Sequence, residues 1–285
     1  MPNVSGPILE KWNSTGAAQG PLGQPTFDQH DAHHGGLVQE FQGGVIAFHP
    51  ATGACAVGGM ILDHWKFKGS GLWAFPASDE QSTADGQGRI QTFRSVQNAG
   101  APEASIVFIS NFGAHAVQGA IRQKWNALGT VTSQFGYPTS DEQDAPHGGK
   151  TQEFAGGTIA WHPETQQAFS TFGLIRDHWK GLGGPDWGYP VTDETGTPDG
   201  RGRFNHYKTV QLAGDPIASI YFNPQGNAVE VTGAIWHFWA NQGFETGPMG
   251  YPLAPEENGP AGTRVQKYER GKLIWQNGVG VSSQP

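Results

Sequence analysis

The 285-residue chain carries 17 basic against 25 acidic residues, a formal charge of −8 with histidine neutral. It has no basic cluster, so nucleic acid and anionic membrane surfaces are excluded as natural partners. A single cysteine, Cys55, excludes an internal disulfide and a cysteine-built metal site, and no stretch approaches the roughly 18 apolar residues of a membrane span. The N-terminal MPNVSGPILEKW lacks both a basic segment and an apolar signal core. The expectation is a soluble chain, cytoplasmic as written or extracellular if a signal has been removed. The 43 glycines and 20 prolines recur among aromatics at repeated positions, which predicts many tight turns and not disorder.

Five segments open alike, and they divide the chain into repeats over residues 6–58, 59–118, 119–172, 173–232 and 233–285, read as one repeat domain over residues 1–285. Each begins with a predicted helix: GPILEKW, GMILDHW, GAIRQKW, GLIRDHW and GAIWHFW. Their tryptophans, Trp12, Trp65, Trp125, Trp179 and Trp239, stand 53, 60, 54 and 60 residues apart. An isoleucine four residues before each tryptophan (Ile8, Ile61, Ile121, Ile175, Ile235) puts both side chains on one buried face. A glycine four residues after it (Gly16, Gly69, Gly129, Gly183, Gly243) suits a left-handed helix C-terminus. Helices this short need tertiary packing.

A Pro-ending segment follows in each repeat (PLGQP, LWAFP, QFGYP, DWGYP, PMGYP), then an acidic run, FDQ, SDE, SDE, TDE and PEE. Three strands are predicted next. The first carries Gln-x-aromatic, with Asn205/Tyr207 and Gln266/Tyr268 as variants. The second reads VIAFHP, SIVFIS, TIAWHP, SIYFNP and KLIWQN, and the third GACAV, AHAV, QAFSTF, NAVEV and GVGVS. Alternation places Ile159 with Trp161, and Ile220 with Phe222, on one face of a half-buried strand. In repeats one, three and five the first hairpin is short, turning through Gly43-Gly44 or Gly156-Gly157. Repeats two and four insert a loop with the shared pattern Val-Gln-x-Ala-Gly-x-Pro, from Ser95 and Thr209. Repeats one to four thus read as a duplicated two-repeat block, with a fifth repeat of the odd type added.

These features resemble the LGFP repeat, named for Leu-Gly-Phe-Pro followed by Thr-Ser-Asp-Glu. FGYPTSDE (Phe135–Glu142) and WGYPVTDE (Trp187–Glu194) match it best, with Gln24 and Pro255 the departures. The resemblance covers essentially the whole chain. It implies a compact pseudo-fivefold ring comparable to a small five-bladed propeller, each unit a short helix plus about three strands. It also implies a role in binding cell-wall polysaccharide. Because an odd number of repeats cannot alternate around a ring, repeats five and one should meet at a seam of two short hairpins.

Ligand-binding candidates follow from what the core leaves over. The five helix tryptophans, with Trp161 and Trp275, are expected in the core; Trp236 is left unassigned. Trp73 and Trp187 stand at a position apolar in every repeat, yet each has an acidic pair downstream, an arrangement suited to sugar rings. Tyr137, Tyr189 and Tyr251 are further platforms, since tyrosine suits a half-exposed edge. Asp79/Glu80, Asp141/Glu142 and Asp193/Glu194 would hydrogen-bond sugar hydroxyls, or the aspartates would cap the turn after proline. Arg89 and Arg203 are expected to pair with these carboxylates. Recurrence argues against catalysis, which needs one pair of groups with separated pKa values. His30, His33 and His34, with Asp31, offer a nitrogen/oxygen set that matches no defined metal motif. His49 and His162 are expected to be structural. No Gly-x-Ser-x-Gly, His-Glu-x-x-His or phosphate loop occurs.

The expectation is therefore a β-rich ring with no catalytic residues, metal or cofactor, binding glycan at several sites. The ligand set is Tyr137, Asp141, Glu142, Trp187, Tyr189, Asp193, Glu194, Trp73, Asp79 and Glu80. The alternative is an enzyme using the ring cavity to cyclise an apolar, terpene-type metabolite.

Overall fold

A computed structural model describes residues 2–97, 103–209 and 217–285. The loops shared by repeats two and four fall largely on residues 98–102 and 210–216, outside the described residues. The described residues hold five α-helices, α1 (Gly6–Ser14), α2 (Gly59–Phe67), α3 (Gly119–Leu128), α4 (Gly173–Gly181) and α5 (Gly233–Asn241). Each helix is followed by three main strands. These are β1 (Leu37–Phe41), β2 (Gly44–His49) and β3 (Gly53–Val57) in repeat one; β4 (Arg89–Arg94), β5 (Glu103–Ile109) and β6 (Gly113–Gln118) in repeat two; β7 (Gly149–Phe154), β8 (Gly157–Trp161) and β9 (Ala168–Phe172) in repeat three; β10 (Arg203–Thr209), β11 (Ile217–Phe222) and β12 (Ala228–Val231) in repeat four; and β13 (Arg264–Tyr268), β14 (Gly271–Gln276) and β15 (Gly280–Gln284) in repeat five.

The strands form five antiparallel sheets. Each sheet is wider than the three strands read from the sequence. A two- or three-residue edge strand after the acidic run pairs with the first strand, as His30–Asp31 does with β1 and Gln81–Ser82 with β4. Segments so short carry no alternation, so their pairing is decided by the neighbouring strand.

The helices are held by the same three devices in every repeat. The glycine four residues past each tryptophan adopts φ between 91° and 114°, a left-handed stop that would strain any side chain. Four helix tryptophans are fully buried; Trp12 is half-buried. Each indole N–H donates to a backbone carbonyl two residues before the recurrent proline: Trp12 to Gly23, Trp65 to Ala74, Trp125 to Gly136, Trp179 to Gly188 and Trp239 to Gly250, at 2.8–3.1 Å. The tryptophan thus packs its ring and satisfies a turn carbonyl that burial would otherwise leave unpaired. Trp161 and Trp275, expected in the core, are only half-buried, because they lie near strand ends where their rings reach the sheet margin.

The chain divides into two compact units. The first comprises Met1–Glu142 and Gln152–Ala155, the second Gln143–Thr151 and Gly156–Pro285. In the first, one core gathers Ile61, Trp65, Phe75, Phe93 and Ile106, and a second gathers Ile8, Leu22, Phe41 and Ile46. In the second, Ile175, Trp179, Tyr207 and Ile220 form one core, and Tyr221, Ile235, Trp239 and Tyr251 another.

Candidate functional site

Most residues singled out from the sequence bind one repeat to the next. The aromatic before the recurrent proline inserts into the preceding repeat, where a glycine leaves room for it. Tyr137 reaches Gly88, Tyr251 reaches Gly202, Tyr189 reaches Gly149 and Phe75 reaches Gly36; a Cβ at any of these glycines would lie within 2.7 Å of the ring. The rings are consequently buried, Tyr137 at 6%, Tyr189 at 2% and Tyr251 fully enclosed. This corrects the expected half-exposure and leaves no open ring face. Their hydroxyls are also occupied. Tyr137 donates to Asp85 Oδ1 at 2.7 Å beside Thr83, Tyr251 donates to Asp199 beside Thr197, and Tyr189 donates to the Pro146 carbonyl. Burial, with the nearby charge of Asp186, pushes Tyr189 up to about 12. The bond from Tyr137, then that from Thr83, holds Asp85 below the usual carboxylate range.

The acidic runs work at the same junctions. Asp79 Oδ1 accepts Ala56 N–H at 3.1 Å, Asp141 Oδ1 accepts Ala116 N–H at 2.9 Å, and Asp193 Oδ1 accepts both N–H and hydroxyl of Ser170 at 2.9 Å. Each aspartate thus caps the third strand of the preceding repeat, not its own turn. Glu80 and Glu194 pair with Arg89 and Arg203, as expected. Burial nevertheless raises the Glu194 pKa against that pairing. The first-strand amides complete the junction. Gln39, Gln91, Gln152, Asn205 and Gln266 are buried to 1% or less, and each donates to two backbone carbonyls, one in its own turn and one nine residues before a helix tryptophan. In repeat one that second carbonyl belongs to Asn3, so the N-terminal segment takes the part a third strand plays elsewhere.

One junction in the first unit carries more than this shared set. Around Asp141 lie His64 Nε2 at 3.0 Å, Lys68 Nζ at 3.3 Å and His115 Nδ1 at 3.5 Å, all with 13–23% of the side chain exposed. Burial would raise the Asp141 pKa. The hydrogen bonds from His115 and His64, the Ala116 amide and the charge of His64 outweigh it and hold the carboxyl far below the usual range. Lys68 Nζ sits 5.8 Å from the centre of the Trp73 ring. Trp73 Nε1 donates to Gln118 Oε1 at 3.1 Å, and Gln118 Nε2 donates to Glu142 Oε1 at 3.2 Å. Beside His64, at 5.7 Å between ring centroids, Phe67 is 79% exposed. Trp73 is thus brought to Asp141 and Glu142 of the next repeat, and not to Asp79 and Glu80, the acidic pair downstream of it in its own. His64, Lys68, His115, Gln118 and Phe67 of this cluster are not among the candidates that the sequence offers, although His64 recurs as His178 before the helix tryptophan. The one sequence signal for Phe67 was an aromatic on the polar side of α2, where helical periodicity calls for a soluble residue.

The remaining candidates are dispersed. Trp187 is half-buried against Tyr207 at 5.3 Å. His178 keeps a carboxylate partner although repeat five has Pro255 in place of the aspartate: Glu230 on β12 supplies it at 2.7 Å. His49 and His162 bear out their structural role, bonding the carbonyls of His34 and His147 at 3.1 Å. Trp236 joins His206 and Phe244 in an aromatic cluster and donates to Ser219. Among the described residues no three His, Cys, Asp or Glu side chains converge on a metal-sized point, and no helix is long and apolar enough to cross a membrane.

A structure in which tryptophan, amide, aspartate and glycine recur in one geometry is a tandem-repeat protein whose units are stitched by side chain to backbone bonds. Residues 22–70, 74–133, 135–186 and 188–247 each match the LGFP repeat, and the chain belongs to that family. LGFP repeats are associated with cell-wall-related proteins. No curated protein matches the chain. Among solved structures, a streptogramin B lyase is similar at 8% identity over 93% of this chain and 84% of that one, with a TM-score of 0.16. The extracellular domain assigned to a hybrid two component system, BT4673 of B. thetaiotaomicron, is similar at 10% identity over 90% of this chain and 35% of that one, also at 0.16. At these scores neither similarity bears on fold or function.

Proposed function

We propose that the chain is a non-catalytic, multivalent carbohydrate-binding protein of the cell-wall type. Its best site is the cluster of Phe67, Trp73, Lys68, His64, His115, Gln118, Asp141 and Glu142. The observation that carries this reading is Phe67. An aromatic ring left 79% exposed beside a polar network offers the apolar face of a sugar a platform, with imidazole, ammonium and amide groups at its edge for hydroxyls. No nucleophile adjoins the His64–Asp141 pair among the contacts of the cluster, so binding and not turnover suits the geometry. Asp79 with Glu80, and Trp187 with Asp193 and Glu194, are proposed as weaker counterparts. Tyr137 and Tyr189 serve by holding the junctions on which these sites stand.

A glycan array followed by titration calorimetry tests the reading. Phe67→Ala is expected to weaken the best ligand about tenfold, about 1.4 kcal/mol, without lowering Tm, because the ring buries little. Unchanged affinity, or one tight site for a small apolar molecule and none for any glycan, overturns it. The pseudo-fivefold ring is also part of the proposal. It is supported by the same junction recurring inside each unit, and small-angle scattering of an extended particle would count against it.

A further inference from the structure

A second cleft lies in the first unit, away from Asp141, where repeats one and two adjoin. It has a volume of about 320 Å³, and its rim carries His30, Asp31, His33, Glu40 and Lys66. The edge strand His30–Asp31 and β1 form one wall, and the turn after α2, through Gly69 and Gly71, the other. Val38 and Val45 supply an apolar floor. The volume stands at the lower end of small-molecule sites, which suits one or two sugar rings better than a polymer segment. An apolar floor beneath a charged rim matches a pyranose, which has a C–H face and a hydroxylated edge.

Charge narrows the ligand further. The two carboxylates Asp31 and Glu40 outnumber the one ammonium, Lys66, so the cleft disfavours carboxylated or phosphorylated sugars. Glu40 is also short of donors. Its Oε2 is buried without a hydrogen-bond partner, and the ring nitrogen His30 Nδ1 stands 3.6 Å away. Asp31 spends one oxygen on the His33 amide at 3.2 Å and keeps the other. A carboxylate so placed favours an incoming positive charge.

We propose that this cleft holds the terminal ring of an amino sugar, its protonated amine towards Asp31 and Glu40 and its C–H face on Val38 and Val45. The proposal deepens the carbohydrate-binding reading and rests on it. It adds a pocket that selects a chain end by charge, where the Phe67 cluster offers an open platform.

Titration of the intact protein with glucosamine, glucose and glucuronate near pH 6.5, where the amine is protonated, tests it. Glucosamine is expected to bind about fivefold more tightly than glucose, the size of one partly screened ion pair, with glucuronate the weakest. Glu40→Gln should bring glucosamine to within about twofold of glucose, and glucosamine should shift the ring-proton resonances of His30 and His33 in the unaltered chain. Equal binding of glucosamine and glucose, preference for glucuronate, or unshifted histidines overturns the assignment. Retention on cell-wall polysaccharide, measured in parallel, separates the two failures. Polymer retained without any sugar in the cleft overturns the cleft alone, and neither polymer nor sugar bound overturns both readings.

Discussion

Gln152 shows how a single side chain ties repeats together. It is 1% exposed, and its Nε2 donates to the carbonyls of Ala116 and Ser140, 2.9 and 2.8 Å away. Gln152→Leu keeps the volume but strands two buried acceptors, and is expected to cost about 2–4 kcal/mol in chemical denaturation. Cys55 belongs to the opposite class. Burial, then the charge of Asp79, pushes its thiol up to about 11, which leaves roughly a thousandth of it as thiolate at pH 8. Native protein should therefore react with a thiol reagent only on unfolding, and stoichiometric labelling within minutes would show that the strand opens. The recurrence of Gln at this position was legible in the sequence. Its partners were not, because they are backbone carbonyls of other segments that no residue pattern marks.

At the scale of elements, the helix tryptophan and the junction tyrosine make separate predictions. Trp179 is 1% exposed and donates to Gly188, so Trp179→Ala should lower stability by about 3–5 kcal/mol. Gly149 lies against the Tyr189 hydroxyl, which a Cβ would approach to 2.3 Å. Gly149→Ala is expected to cost about 1–3 kcal/mol through overpacking, read as a fall in Tm with altered near-ultraviolet tyrosine signal. The Asp141 cap also sets a pH dependence. Its folded pKa lies below the ordinary 3.8, so the stability it contributes is present above that value and is lost as pH falls through the folded pKa. Asp141→Asn should destabilise the protein at pH 7, and the gap to wild type should close as the pH drops below about 4; a gap constant from pH 7 to 2 would show that the carboxylate charge is not involved. Helices and main strands were legible because their periodicities are local. The two-residue edge strands and the target of the aspartate caps were not, since both depend on which segment lies alongside.

For the molecule as a whole, repetition predicts weak sites and strong avidity. Free sugars should bind at about −4 to −5 kcal/mol, in the high micromolar to millimolar range, while polymer is retained far more strongly through tethered sites; equal affinity for monomer and polymer would argue for one site. Deleting residues 233–285 should make the remainder unfold or aggregate. It uncovers Tyr221 and Val231 from their core with Trp239 and Tyr251, and it removes the Tyr251 bond to Asp199 and the Gln266 bond to the Glu230 carbonyl. A soluble monomer of four repeats with an unchanged melting profile would contradict this.

The sequence by itself determined the number of repeats, the family, the order of helix and strands, and the buried tryptophan and isoleucine faces. All of these follow from residue spacing along one segment, where 3.6- and 2-residue periods translate directly into faces. Only the tertiary structure decided which aromatics are open to solvent. Tyr137 and Tyr189 read as exposed because tyrosine carries a polar edge, yet each finds a hydroxyl partner and a glycine-shaped seat in the preceding repeat. Nothing in the repeat pattern marks Phe67, yet it stands exposed outside the core beside the Asp141 cluster. Exposure is a property of what covers a residue, and the segments that cover these tyrosines lie some 40 to 50 residues away in the chain.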